Sequence, residues 1–183
     1  MRNLLRSLFA AAALAIAAAP AIADDATPTL PGGANAISEV HDDWTVRCGV
    51  AQNGAAGAKS TCGISQQQLD NKTKRRVLLL GLAAGDNGGV QGSLVLPFGL
   101  LLDAGVTFQI DDGPRTATAS HFRTCLPVGC VVVIDWPAST VTALRSAKKL
   151  TVAAQGENSQ PATFTVSMKG FGSALDRAIA LPK

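Results

Sequence analysis

The chain has 183 residues, with 16 Lys and Arg against 13 Asp and Glu, and a net charge of +3. So small an excess supplies no bulk attraction for nucleic acid. Aromatic residues are 4% of the chain and tyrosine is absent, which argues against a stacking platform for bases or sugars.

At the N-terminus, Arg2 and Arg6 form a short positive segment, and Leu8 to Ala19 is an unbroken apolar run. Pro20 breaks the run, and Ala21-Ile22-Ala23 has the small-residue pattern of a cleavage site. Asp24 and Asp25 are the first acids. This is the layout of a bacterial secretory signal peptide over residues 1–23, cleaved after Ala23. The run is shorter than the roughly 20 residues of a spanning helix. No lipoprotein cysteine follows it, and no second long apolar stretch occurs, so the mature chain is expected to carry no transmembrane segment. The expected location is periplasmic, outer-envelope associated or secreted. Processing leaves 160 residues, 183 less 23, and lowers Lys and Arg from 16 to 14 against 13 acids, a net charge of +1. A domain of that size buries about two-thirds of its unfolded surface and does not depend on cross-links to exist.

Residues 24–42 are rich in Pro, Gly and Ala and read as a flexible lead-in, with order beginning near Trp44. Trp44 to Cys48 alternates apolar and polar residues, a strand signal. Gln52 to Lys59 reads as a loop, and Thr61 to Leu69 alternates again with Cys62, Ile64, Gln66 and Gln68 on one side. Asp70 to Arg75 has no apolar residue and reads as a hairpin tip. Strands are predicted over Arg76 to Ala84 and Val90 to Leu96, separated by the turn Gly85-Asp-Asn-Gly-Gly89. Gly99 to Leu102 and Val106 to Ile110 continue the β pattern, Asp111 to Pro114 is a turn, and Arg115 to Arg123 alternates small and polar residues. Cys130 to Ile134 is a β-branched core strand. Pro137 to Lys148 carries Val141, Leu144 and Ala147 at helical spacing, with basic residues at its end to suit the dipole. Leu150 to Ala154 and Ala162 to Met168 read as two strands around a Gly-Glu-Asn-Ser turn. Phe171 to Ala180 reads as a second helix, with Ser173 and Asp176 spaced as a capping box. Short strands with a turn about every ten residues predict a mainly β domain. The expected form is an antiparallel β-sandwich or barrel-like sheet with one or two short helices.

The cysteines are Cys48, Cys62, Cys125 and Cys130, an even count that in an exported chain reads as two disulfides. Of the three pairings, Cys48–Cys62 with Cys125–Cys130 is favoured. Closing a 15-residue loop rather than the 78-residue loop of Cys48–Cys125 is easier by about 1.5 kcal/mol of chain entropy. The spacings C-x13-C and C-x4-C are not those of a zinc ribbon.

No catalytic constellation is legible. There is no G-x-S-x-G elbow and no P-loop. His121, four residues before Cys125, lacks the other parts of a Cys–His site, because the cysteine is expected to be oxidised. His41 with Asp42 and Asp43 reads as a solvated flank rather than a metal site. Gly170-Phe-Gly172 lacks the third glycine of a dinucleotide loop. Asp42-Asp43 and Asp111-Asp112 are adjacent pairs, whose side chains diverge in a strand. Accordingly no cofactor, metal or catalytic residue is expected. The most distinctive charge feature is Lys72, Lys74, Arg75 and Arg76 at the hairpin tip. Such a cluster offers contact with an anionic surface of lipid headgroups, lipopolysaccharide or glycans. It also serves as a soluble turn that blocks edge pairing.

Several short motifs occur in a fixed order: Trp44-x-Val46-x-Cys48, then Cys62 before Gln66-Gln67-Gln68, then Leu96-Pro97-Phe98-Gly99-Leu100. Cys125-Leu-Pro-Val-Gly129-Cys130 and Ser167-Met-Lys-Gly170-Phe171 follow. In this order the chain resembles the invasion-associated locus B family of exported Gram-negative proteins, over roughly residues 43–180. The resemblance implies one exported, β-rich, disulfide-bonded domain over residues 43–183, in a family some of whose members are associated with the cell envelope and with entry into host cells. It supplies no catalytic residue set. The function expected is that of a non-enzymatic envelope or secreted factor binding a protein or surface partner. The alternatives are a periplasmic hydrolase or enzyme inhibitor with an unfamiliar site, and a structural or chaperone-like envelope protein.

Overall fold

The computed structural model describes residues 30–50, 60–114 and 119–181. The expected signal peptide, the first part of the expected lead-in and the expected Gln52–Lys59 loop lie outside the described residues. Within them run strands β1 (Ala36–His41), β2 (Trp44–Val50), β3 (Ser60–Leu69), β4 (Arg76–Ala84) and β5 (Val90–Leu96). They are followed by β6 (Thr107–Ile110), β7 (Phe122–Leu126), β8 (Gly129–Trp136) and helix α1 (Ala138–Ser146). Strands β9 (Lys149–Gln155) and β10 (Pro161–Ser167) and helix α2 (Phe171–Ala180) complete the chain. The sheets are antiparallel: one of seven strands in the order β1-β2-β3-β4-β5-β8-β7, and one of three in the order β10-β9-β6. The mainly β, antiparallel architecture with two short helices and two disulfides is thus the one the sequence predicts. It consists of two open sheets rather than a closed barrel.

Alternation explains the large sheet. Register sets Val46 opposite Ile64 and Ile64 opposite Leu82, while Leu80, Leu94 and Val132 form a second row. All of these are buried, so one face of the sheet is apolar along its width. Helix α2 lies on that face against β1 to β4 and buries Phe171, Ala174, Leu175 and Ala178. The small sheet and α1 complete the same core with Phe108, Leu150, Val152, Val166, Val141 and Leu144.

The glutamine-rich strand has a specific task. Gln66 is buried, and its side-chain amide donates to Ser167 O at 2.9 Å and accepts from Ser167 N at 3.0 Å. Gln68 donates to Thr165 O. Side-chain amides on β3 therefore satisfy the outer edge of β10, which among the described residues pairs with β9 alone. Gln66→Leu leaves the Ser167 N–H without its acceptor. The expected loss is about 1–3 kcal/mol of stability, read as a lower urea midpoint.

Both disulfides join residues directly opposite each other across a hairpin. Cys48–Cys62 links β2 to β3 and Cys125–Cys130 links β7 to β8, with Cα separations of 4.1 and 3.9 Å. Loop-closure entropy assigns them about 3 and 2 kcal/mol respectively.

Three expectations need correction. Residues 36–41 of the supposed lead-in form β1, which pairs with β2 along its whole length. Its half-buried positions are Ile37, Glu39 and His41. A carboxylate at a position facing α2 hides the strand pattern until Arg177 is known to meet it. Gly99 to Leu102 is not a strand: Leu100 makes a single bridge to Gly156, and Leu102–Ala104 is a 3-10 turn. The Ser173/Asp176 capping box does not form. Gly170 caps α2 in the left-handed region, Ser173 Oγ donates to Gly170 O, and Asp176 pairs with Arg145.

Candidate functional site at the cationic end of the large sheet

Antiparallel register decides which loops meet. Because neighbours alternate in direction, the β3–β4 tip, the exit of β5 and the β7–β8 tip all fall at one end of the sheet. The first tip is built around Asp70. Its carboxylate accepts from Thr73 N at 2.7 Å, Thr73 Oγ1 at 2.9 Å and Lys72 N at 3.1 Å. The Thr73 main-chain bond holds this carboxyl below its usual range. The acid of the tip therefore shapes it through Oδ1 and keeps its negative charge. Lys72, Lys74 and Arg75 are exposed and Arg76 is half-buried. Among the described residues none of these four cations is in an ion pair. Arg76 Nε is buried without a hydrogen-bond partner.

The other two loops are apolar. Pro97 and Phe98 follow β5, and Pro127 and Val128 form the β7–β8 tip above the Cys125–Cys130 bond. Gly129 has φ 131°, and a Cβ there would overlap the Leu96 carbonyl oxygen, so only glycine lets this tip lie against β5. Between the loops lies a cleft of about 780 Å³, lined by Arg75, Arg76, Pro97, Phe98, Pro127 and Val128 among others. A cationic wall faces an apolar one. The arrangement suits an anionic group carrying apolar matter, with the guanidinium groups of Arg75 and Arg76 set against the single carboxylate of Asp70 in the lining.

The sequence singles out the four cations but not Phe98 and Val128, which it reads only as parts of turns. β5 and β8 are neighbours in the sheet but distant in sequence. The signal available was two apolar residues, each bracketed by Pro and Gly, in loops flanking core strands.

The remaining candidates go elsewhere. His121 is exposed just before β7. Asp111 accepts from the backbone N–H groups of Lys148 and Lys149 at 2.9 and 3.0 Å, which lowers its pKa, while Asp112 pairs with Lys149 on the surface. Asp42 pairs with Lys169 at 3.1 Å. Among the described residues no three His, Cys, Asp or Glu side chains gather around a metal position. A second recess, apolar and about 440 Å³, lies between α1 and the small sheet beside Phe108, Trp136, Leu144 and Leu150.

One polar chain passes from β1 to α2. His41 Nδ1 lies 3.2 Å from Ser173 Oγ and its Nε2 lies 3.6 Å from Glu39 Oε2. The order Ser–His–Glu superficially matches a hydrolytic relay. Here, though, both Glu39 oxygens accept from Arg177 at 2.8 Å, and Ser173 donates to Gly170 O. The group works as a clasp that fixes edge strand β1 to α2.

Hydrogen bonds from Arg177 lower the Glu39 pKa from 4.5 to about 2. A carboxylate with a depressed folded pKa stabilises above its unfolded pKa, and that contribution disappears as pH falls through the folded value. The clasp is therefore complete above pH 4.5 and weakens progressively toward pH 2. Urea midpoints should fall across this window. Glu39→Gln should flatten part of that fall, leaving the share from Asp70 and Asp111. An unchanged acid limb in Glu39→Gln would show that the clasp does not couple to folding.

The comparisons with known proteins agree on one group. The family model described as invasion associated locus B (IalB) protein matches residues 44–178. An invasion protein B homolog of Brucella abortus is 40% identical over 158 residues, 85% of this chain and 86% of that protein. Invasion protein B of Bartonella bacilliformis is 34% identical, with both chains covered in full. The crystal structure of invasion associated protein B from Bartonella henselae superposes with a TM-score of 0.70 at 31% identity, covering 79% of this chain and 95% of that one. The ordered motifs, the two-sheet fold and these matches over most of the length establish that the chain belongs to the invasion associated locus B family.

Proposed function

We propose that this protein is an exported factor of the bacterial envelope or its exterior that acts by binding an anionic surface rather than by catalysis. The observation that carries the reading is the end of the large sheet, where Lys72, Lys74, Arg75 and Arg76 stand, among the described residues, outside any ion pair, beside a cleft with one apolar wall. Export is supported by the layout of residues 1–23 and by two disulfides. Relatives named as invasion proteins support a host cell as one place where such a surface is met.

Each cation near an anionic surface contributes about 1 kcal/mol before screening. Replacing Lys72, Lys74, Arg75 and Arg76 with Ser should therefore weaken binding to heparin and to anionic vesicles at least about tenfold at physiological salt. The Lys72/Lys74/Arg75 triple variant, which spares half-buried Arg76, should show most of the loss with unchanged melting. Binding by the quadruple variant equal to wild type, or insensitive to salt, would refute the reading. Export is checked by the N-terminal sequence of the secreted protein, expected to begin at Asp24.

A further inference from the structure

The cationic end also gathers exposed apolar side chains. Leu69 is 47% exposed, Phe98 57%, Leu126 48% and Val128 54%. Single exposed apolar residues are ordinary, but a group drawn from three loops onto one end of a sheet marks an interaction surface. These side chains are large and none is polar at its tip. A hydrated polysaccharide would engage the cations and leave Phe98, Leu126 and Val128 in water. A bilayer with anionic headgroups satisfies both sets at once, cations at the phosphate level and apolar tips at the acyl boundary.

The loops are also held in place. The Leu126–Val128 tip closes over the Cys125–Cys130 bond, and Gly129 seats it against β5. The Asp70 turn holds the cations through three hydrogen bonds to its carboxylate. Docking would thus order little that is not already ordered, which lowers its entropic cost. Acids are fewer than cations at this end: Asp70 lies within the tip, Glu157 N donates to Gly99 O beside Phe98, and Asp42 and Asp43 sit at the far β1–β2 turn, where Asp42 is paired with Lys169.

We propose that the protein docks end-on to an anionic lipid bilayer, with Phe98, Leu126 and Val128 entering the interface and Lys72, Lys74, Arg75 and Arg76 meeting the headgroups. This rests on the surface-binding reading above and deepens it by naming the surface.

The test compares vesicles of phosphatidylcholine mixed with phosphatidylglycerol, vesicles of phosphatidylcholine alone, and heparin. Wild type should bind the mixed vesicles well above the neutral ones. A Phe98→Ser/Val128→Ser variant keeps every charge and should lose about tenfold of its vesicle binding, given the apolar area withdrawn, while retaining heparin binding. Phe98→Trp should show blue-shifted fluorescence on mixed vesicles and quenching by brominated acyl chains. If Phe98→Ser/Val128→Ser binds the vesicles like wild type, or if wild type binds heparin but not vesicles, the bilayer proposal is overturned while surface binding stands. If wild type binds neither, both fall.

Discussion

Trp44→Ala is expected to cost the fold about 3–5 kcal/mol, the range for removing a large aromatic side chain from a packed core. Trp44 is fully buried and packs edge-on against Phe171, with ring centroids 5.2 Å apart at 66°. Its indole N–H donates to Ser167 O at 2.9 Å, the same carbonyl that takes the Gln66 amide. One side chain thus ties β2 to α2 and to the end of β10. Phe at this position would keep most of the packing and lose the indole donor, so Trp44→Phe should cost less than half as much. Denaturant unfolding at neutral pH gives both values. Equal losses for the two variants would show that the hydrogen bond, not the packing, dominates.

Gly170→Ala should be nearly as damaging, at about 3 kcal/mol or more. Gly170 has φ 86°, a region L side chains avoid, and a Cβ built there would overlap the His41 carbonyl oxygen. The obstruction is main chain, so no rotamer relieves it. Relief requires the β1–β2 turn to move away from α2. That motion separates Trp44 from Phe171 and opens the clasp of Glu39, His41 and Arg177. The variant should therefore lose melting temperature by roughly 10 °C, at about 2–4 °C per kcal/mol for a domain of this size. Asn, which tolerates left-handed backbone elsewhere, should not rescue it, because the overlap remains. Rescue by Asn would mean that backbone conformation alone sets the requirement.

Much of the fold was legible because the pattern of one face buried and one wet survives in single strands. β4, β5 and α2 begin and end at the residues the sequence predicts. The disulfides follow from an even cysteine count and short closures. What escaped depended on partners far away in the chain. Glu39 made β1 look solvated, and only Arg177, 138 residues on, explains it. Gln66 sat on the correct face but gave no hint that it would serve as main-chain surrogate for Ser167. The cations were readable as a charged tip. Their apolar neighbours were not, since the β5–β8 pairing that brings Phe98 near Val128 joins strands separated by two others in sequence.

The way Gln66 and Gln68 hold β10 has a consequence for motion. Among the described residues β3 and β10 share no main-chain ladder; they meet through side-chain amides and packed apolar groups. Such a join is a seam along which partial opening requires fewer bonds to break than opening either sheet does. Amide protons of β9 and β10 should then exchange with solvent through a sub-global event, while those of β3 to β5 wait for complete unfolding. In that sense the glutamine-rich strand sets where the molecule divides when it breathes.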